Sequence, residues 1–230
     1  MIPWTVLGNA EIPNGGGELK LSRRGDEFSI RLSGVRGELM NSRVHGSEEA
    51  LAELGCAHLH LNRAPGMPDA QVLVGGLGMG FTLAAALKTS PASATVTVAE
   101  LIPAVVDWNH GPLGECAGQP LQDPRTRVQI GDVAELFTKD QPGYDAILLD
   151  VDNGPEGLTH TDNHRLYSSS GLRVIYRSLR ADGMLAVWSA FPDPSFVARL
   201  KKTGFTVRAQ MVRARPGKGS RHTIFLAKKP

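Results

Sequence analysis

The stretch Val72–Phe81, "VLVGGLGMGF", places four glycines in six residues directly after an apolar run. Backbone that bare at the end of a strand lets the chain approach a ligand closely, often a nucleotide. Which nucleotide, and for what chemistry, has to come from the surrounding residues.

Downstream of Gln71 the chain alternates apolar strands with helical stretches. The strands read as "QVLVGG", "TVTVAE", "RVQIGD", "YDAILLD" and "MLAVWSA", with helices expected over 79–88, 103–116, 133–139 and 165–180. Strands that are apolar without interruption are buried on both faces, which implies a parallel sheet with helices on each side. The end differs: "FTVRAQMVRAR" and "HTIFLAKK" flank the turn "PGKGSR". A mostly parallel sheet closed by an antiparallel hairpin is a class I methyltransferase-like, Rossmann-like α/β fold. Upstream, residues 18–40 alternate apolar and polar at period two and predict a small antiparallel meander. Its "RGD" at Arg24–Asp26 reads as a hairpin turn. A helix is expected next, with Ser47 as N-cap and Glu48 and Glu49 in its first turn. The expected units are therefore residues 1–64, a β-meander with a linking helix, and residues 65–230, a nucleotide-binding α/β domain.

Ligands of such sheets bind at the carboxyl ends of the strands. After strand one of the α/β unit come Gly76, Gly78 and Gly80, and after strand two comes Glu100, placed to accept hydrogen bonds from ribose hydroxyls. After strand three come Gly131 and Asp132, which suit an adenine amino group, although Asp132 also fits a helix N-cap. After strand four comes "DVDNGP", Asp150–Pro155. Four strand ends in order, each with a glycine, an acid or both, define an adenosine pocket. NAD is a competing ligand, but "GLGMG" lacks the third glycine at the dinucleotide spacing, and no second mononucleotide-binding half follows.

These segments resemble the spermidine synthases, the polyamine aminopropyltransferases. "VLVGGLGMG", "VTVAELIPAVVDW", "DPRTRVQIGDV", "YDAILLDVDNGPEG" and "RLYSSSGL" are similar to the family's successive motifs. The resemblance implies that Glu100 binds the ribose, Asp132 the adenine, and that Asp150 stands at the reacting centre, with Tyr167 on the substrate side. It also implies dimers through the N-terminal β-layer. Two positions depart from the family pattern. Met79 stands where the family has the Asp that neutralises the ammonium of decarboxylated S-adenosylmethionine. Asn153 stands where it has an acid that holds and deprotonates the attacking amine, with Asp152 one position earlier as a substitute. The leading expectation is therefore methyl transfer from intact S-adenosylmethionine to a small amine or acid, with Asp150, Asp152 and Asn153 as the catalytic group. Aminopropyl transfer from the decarboxylated nucleotide to putrescine or a similar amine is the alternative, and a non-catalytic nucleotide-binding module is the third reading.

The remaining features bound these readings. At 230 residues the chain can bury a sizeable core without disulfides or metals. It has no 18-residue apolar run, and its start has neither the basic nor the apolar region of a signal peptide. Two cysteines that form no metal pattern suit a reducing, cytoplasmic setting. Residues 201–230 hold nine Lys or Arg and no acid, leaving 16 basic against 23 acidic residues before them. Aromatics do not interleave with those charges as stacking platforms, so a soluble basic edge is expected rather than an RNA partner. His45 is expected at the pocket mouth, in contact with substrate. His58, His60 and His222 are read as structural and Trp188 as core. His160, Asp162 and His164 are read as solvated loop residues, so no metal is expected.

Overall fold

The computed structural model describes residues 2–34, 37–60, 68–137, 143–151, 163–215 and 218–230. Two sheets organise it. Strands β1 (Thr5–Glu11), β2 (Glu18–Arg24), β3 (Glu27–Leu32) and β4 (Met40–Asn41) form an antiparallel sheet in that order. The "RGD" is the β2–β3 turn, as its period-two flanks require, with Gly25 at a φ of 61°. Strand β1 was not foreseen: its register with β2 slips between Val6 and Gly8, which breaks the alternation a sequence reading depends on.

Helix α1 (Gly46–Cys56) follows, then β5 (Gln71–Gly75), α2 (Phe81–Thr89), β6 (Thr95–Glu100), α3 (Pro103–His110), α4 (Pro112–Glu115), β7 (Thr126–Ile130) and β8 (Tyr144–Leu149). After these come α5 (Asn163–Leu166), α6 (Ser169–Ser178), β9 (Leu179–Ser189), α7 (Pro194–Thr203), β10 (Thr206–Arg215) and β11 (Lys218–Lys228). The seven-stranded sheet runs β10-β11-β9-β8-β5-β6-β7, and β11 is antiparallel to both neighbours while the other pairings are parallel. All five expected strands of the parallel part and the closing hairpin are present.

The apolar runs are explained by burial on both faces. Val72, Val74, Ala146, Leu148 and Ala186 join one core with the antiparallel sheet and α1–α3. Their alternates Leu73, Ile147, Leu149, Leu185 and Val187 join a second core with α6 and α7.

Several local expectations are corrected. Helix α1 begins at Gly46 with His45 in the N-cap position, so Ser47 is no cap; it lies buried in the first turn. The helix expected over 103–116 breaks between α3 and α4, where Pro112 starts a new turn. Residues 133–136 form only a 3₁₀ turn, and 165–180 divides into α5 and α6, the latter capped by the Ser168 hydroxyl. Helix α7, unforeseen, is capped by Asp193, whose carboxylate accepts from the Phe196 amide at 2.8 Å. The expected boundary at residues 64 and 65 lies outside the described residues.

Helix α1 can approach β8 and β9 because residue 55 has no side chain. A Cβ there would lie 2.3 Å from Leu148 Cδ2 and 3.0 Å from the Ala186 methyl, both fully buried. Alanine inside a helix gains roughly 0.5–1 kcal/mol over glycine, but overpacking a closed core costs about 1–3 kcal/mol. The clash wins, so Gly55→Ala should lower stability in urea unfolding; an unchanged or raised midpoint would contradict this packing.

Candidate active site

The order of the large sheet reverses between β5 and β8, and the glycine loop opens there. Gly76 has a φ of 90°, and a Cβ on it would come within 2.4 Å of the Asp150 carbonyl oxygen. Only glycine lets the β5 and β8 ends run this close together. The loop then turns through a Gly80 N–H···O Leu77 bond of 2.8 Å, and the Asn109 side-chain amide donates to the Gly78 carbonyl at 2.8 Å.

Glu100 lies directly beneath. Its carboxylate accepts from the Leu77 amide and the Ile102 amide, each at 2.9 Å, and it is 8 % exposed. Burial pushes its pKa up, and the backbone N–H bonds oppose that rise. An acid at the end of an apolar strand thus has a structural task that the sequence did not disclose: it ties the glycine loop to the start of α3. Asp132 is exposed, and its carboxylate accepts from the Ala134 amide at 2.8 Å. The N-cap role expected of it is present, and it leaves the second carboxylate oxygen free of that bond.

A cavity of about 450 Å³ covers these strand ends, lined by Gly76, Gly78, Glu100, Gly131, Asp132 and Asp150. That volume is in the range of small-molecule sites. Its further wall is Ile12, Leu19, Ile30 and Leu32 of the antiparallel sheet and its β1–β2 connection. The sequence reading gave the N-terminal sheet no part in the site. The available signal was the apolar face of the meander, which needed a surface to cover.

A second cavity of about 110 Å³ adjoins the first, and Leu39, Met40, Gly78 and Asp150 line both. Its other walls include Glu48, Met79, Phe81, Thr82 and Trp188. Asp150 is positioned by the Thr82 hydroxyl, which donates to its Oδ2 at 2.5 Å. Burial raises the Asp150 pKa to about 6, against the opposing Thr82 bond. Glu48, from the first turn of α1, rises to about 7 because it is desolvated and faces the Asp150 charge. Its Oε2 accepts from the Ser47 hydroxyl at 2.6 Å. Glu48 was missed because an acid in a first helical turn is explained by the helix dipole alone.

The remaining candidates distribute as follows. Met79 is 4 % exposed and lines the smaller cavity rather than the larger one. Gly80 lines neither cavity and serves as the N-cap of α2, with a φ of 86°. His45 also lines neither; its ring stacks on Phe81 at 4.1 Å, and its Nδ1 lies 3.1 Å from Glu49 Oε1. Tyr167 is 2 % exposed, packed edge-on against Phe196 in the second core. Trp188, read as core, is half-buried; it packs against the first core and also lines the smaller cavity. His222 Nδ1 lies 2.8 Å from the Ser47 hydroxyl, while His58 and His60 contact the Asp145 and Thr89 carbonyls. Asp152, Asn153, His160 and Asp162 lie outside the described residues, as does the side chain of His164. Among the described residues no cluster of side chains suits a metal ion, and no helix is long and apolar enough to cross a membrane.

The sheet order, the closing antiparallel strand and the nucleotide-sized cavity at the switch point define a class I methyltransferase-like protein. Consistent with this, human methyltransferase-like protein 13 in complex with SAH has a similar fold, with a TM-score of 0.56 at 21% identity over 80% of this chain and 82% of that one. The spermine/spermidine synthase domain matches residues 52–192, and the chain belongs to that family. Spermidine synthase from Thermotoga maritima matches with a TM-score of 0.74 at 21% identity, over 98% of this chain and 73% of that one. A spermidine synthase in complex with the transition-state analogue AdoDATO matches with a TM-score of 0.73 at 20% identity, over 98% and 72%. No curated protein sequence matches. Membership makes the chain a transferase of the S-adenosylmethionine-related kind, as its motifs implied.

The raised carboxyls give a stability signature. Glu48 titrates near 4.5 when unfolded and about 7 when folded, so between those values the folded state holds a proton that the unfolded state has released. The stabilisation is whole below pH 4.5 and is lost as pH rises through 7. Thermal melts of Glu48→Gln should therefore lose less stability than wild type over this window. Parallel curves for the two proteins would contradict the burial of this charge.

Proposed function

We propose that the chain transfers an aminopropyl group from decarboxylated S-adenosylmethionine to a small amine. The observation that carries this is the pair of joined cavities: a nucleotide-sized one that meets, at Asp150, a smaller one walled by a second acid, Glu48. Family membership and the AdoDATO-bound neighbour support the same reading. Nothing in the family match favours methyl transfer, the leading expectation of the sequence.

The residues fit an adenosyl sulfonium. Glu100 stands at the floor of the larger cavity, where its carboxylate suits the hydroxyls of a ribose diol. Asp132 at the rim suits an exocyclic amine, and Val105, Val133 and Ile102 supply apolar walls for the base. The bound nucleotide brings an activated carbon, so the protein's contribution is orientation and charge. Two carboxyls facing one small cavity select cations, because each charge is costly to bury unpaired. Asp150, fixed by Thr82, holds the reacting amine where the cavities meet.

Glu100→Ala should weaken nucleotide binding by about 1–3 kcal/mol and destabilise the protein, since it strands two buried amides. Calorimetry with the intact and decarboxylated nucleotides checks this, and unchanged affinity for both would remove Glu100 from the ligand.

Methyl transfer is kept as a second reading by one observation, Met79. Its thioether offers no charge to the ammonium of a decarboxylated tail, nor any repulsion to the carboxylate of the intact one. Product masses from each nucleotide with a pool of amines separate the readings: aminopropyl adducts are expected, and methyl adducts would overturn the proposal. Met79→Asp should shift the ratio of affinities at least tenfold further toward the decarboxylated form, about 1.4 kcal/mol. An unmoved ratio would place the tail away from residue 79.

A further inference from the structure

Resting on that reading, we propose that Glu48 is the general base of the reaction: its carboxylate takes the proton that the acceptor ammonium must lose before attack. An ammonium must lose a proton before its nitrogen can attack, so a proton acceptor has to reach the acceptor cavity. Within the described walls of the acceptor cavity, the carboxyls are Asp150 and Glu48. They are held differently. Asp150 Oδ2 accepts from Thr82, whose hydroxyl comes from α2. Glu48, on α1, lies beside the same Thr82, whose hydroxyl is 3.5 Å from the Glu48 carbonyl, and its carboxyl is braced by a chain of two groups.

That chain sets the direction of its hydrogen bonds. Ser47 has one hydroxyl hydrogen, which goes to Glu48 Oε2 at 2.6 Å. With Glu48 ionised, the 2.8 Å contact between His222 Nδ1 and Ser47 Oγ is donated by the imidazole. Trp188 packs edge-on to the His222 ring at 4.7 Å and limits its movement. Ionised Glu48 is thereby held as an acceptor in the wall of the smaller cavity. The Trp188 ring on the same wall suits an ammonium.

The charges around Glu48 favour a base that works near neutrality. Asp150, at the end of β8, and desolvation make its ionised form costly, while Ser47 and His45 oppose that rise. His222 on β11 is half-buried, and burial lowers its pKa, which favours the neutral ring. Arg213 and Arg215 on β10 are exposed, and Glu49 on α1 is turned to His45. The raised pKa of about 7 is matched to the task, since a base is most effective when its pKa lies near the working pH.

The balance of the step is simple. The acceptor's N–H bond breaks and its proton goes to Glu48, leaving the electron pair on nitrogen. That pair forms the N–C bond as the C–S bond breaks with its electrons going to sulfur. One proton per turnover returns from Glu48 to water when the product leaves.

The test uses wild type, Glu48→Gln and Ser47→Ala, with decarboxylated S-adenosylmethionine and 1,4-diaminobutane. Glu48→Gln should bind the nucleotide as wild type does but lose about 100-fold or more in kcat, the scale of a general base. The acid limb of the kcat profile near pH 7 should vanish with it. Ser47→Ala removes a bond that holds the carboxyl down, so its limb should move to higher pH while the ceiling is largely kept. A Glu48→Gln enzyme with wild-type kcat and an intact limb overturns the inference and leaves the proposed function standing. Wild type that transfers nothing to any amine overturns the function instead, and a binding measurement still decides Glu48. At pH 7 the nucleotide-loaded protein should release a proton on binding 1,4-diaminobutane, read from binding heats in two buffers of different ionisation enthalpy. Release equal in wild type and Glu48→Gln, or absent from both, overturns the assignment.

Discussion

The carboxylate of Glu100 is buried under the site and held by two backbone amides, Leu77 and Ile102, from the loops that follow β5 and β6. A buried carboxylate is costly, and amide hydrogen bonds to it are among the stronger ones a protein makes. Those bonds fix both loops relative to the sheet. The glycine turn can then be bare and still rigid, because its geometry is imposed from below by Glu100 and from the side by Asn109. The floor of the larger cavity is thus assembled before any ligand arrives, and a ligand pays little to organise it.

The parallel sheet was legible because its chemistry leaves no alternative. Leu73 and Val74 are both fully buried, on opposite faces, and only a strand covered on both sides produces that run. The strand-end acids and glycines were legible for the same reason, since polar residues at the ends of such strands need a purpose. Strand β1 was not, because its bulge spoils the period. The site-forming role of the antiparallel sheet was not legible either. Period two says that Leu19 and Ile30 face something apolar, but not that part of that surface is a ligand cavity.

Glu48 marks the same limit from the opposite side. Its residue type and place in α1 are fully explained by local helix electrostatics. Its second meaning comes from tertiary structure alone. The absence of a side chain at Gly55 lets α1 close onto β8 and β9, and that approach brings the helix's first turn to the mouth of the Asp150 loop. A local rule that is already satisfied hides a place in the cavity wall.

The departures at Met79 and Asn153 then take on a different sense. Considered along the sequence, each removes an acid from a family of cation-handling enzymes, and the sum suggests a lost activity. Considered in space, Met79 and Glu48 line the same small cavity, so that cavity keeps a carboxyl beside Asp150 although the glycine loop carries none. Moving a carboxylate from a tight glycine turn to α1 also changes what surrounds it. Beside Gly78 and Gly80 it would have backbone amides for partners, and these lower a carboxyl pKa. In α1 it has one hydroxyl, an apolar wall and the Asp150 charge, which raise it. The same net charge in the cavity thus becomes a group that can exchange a proton near neutral pH.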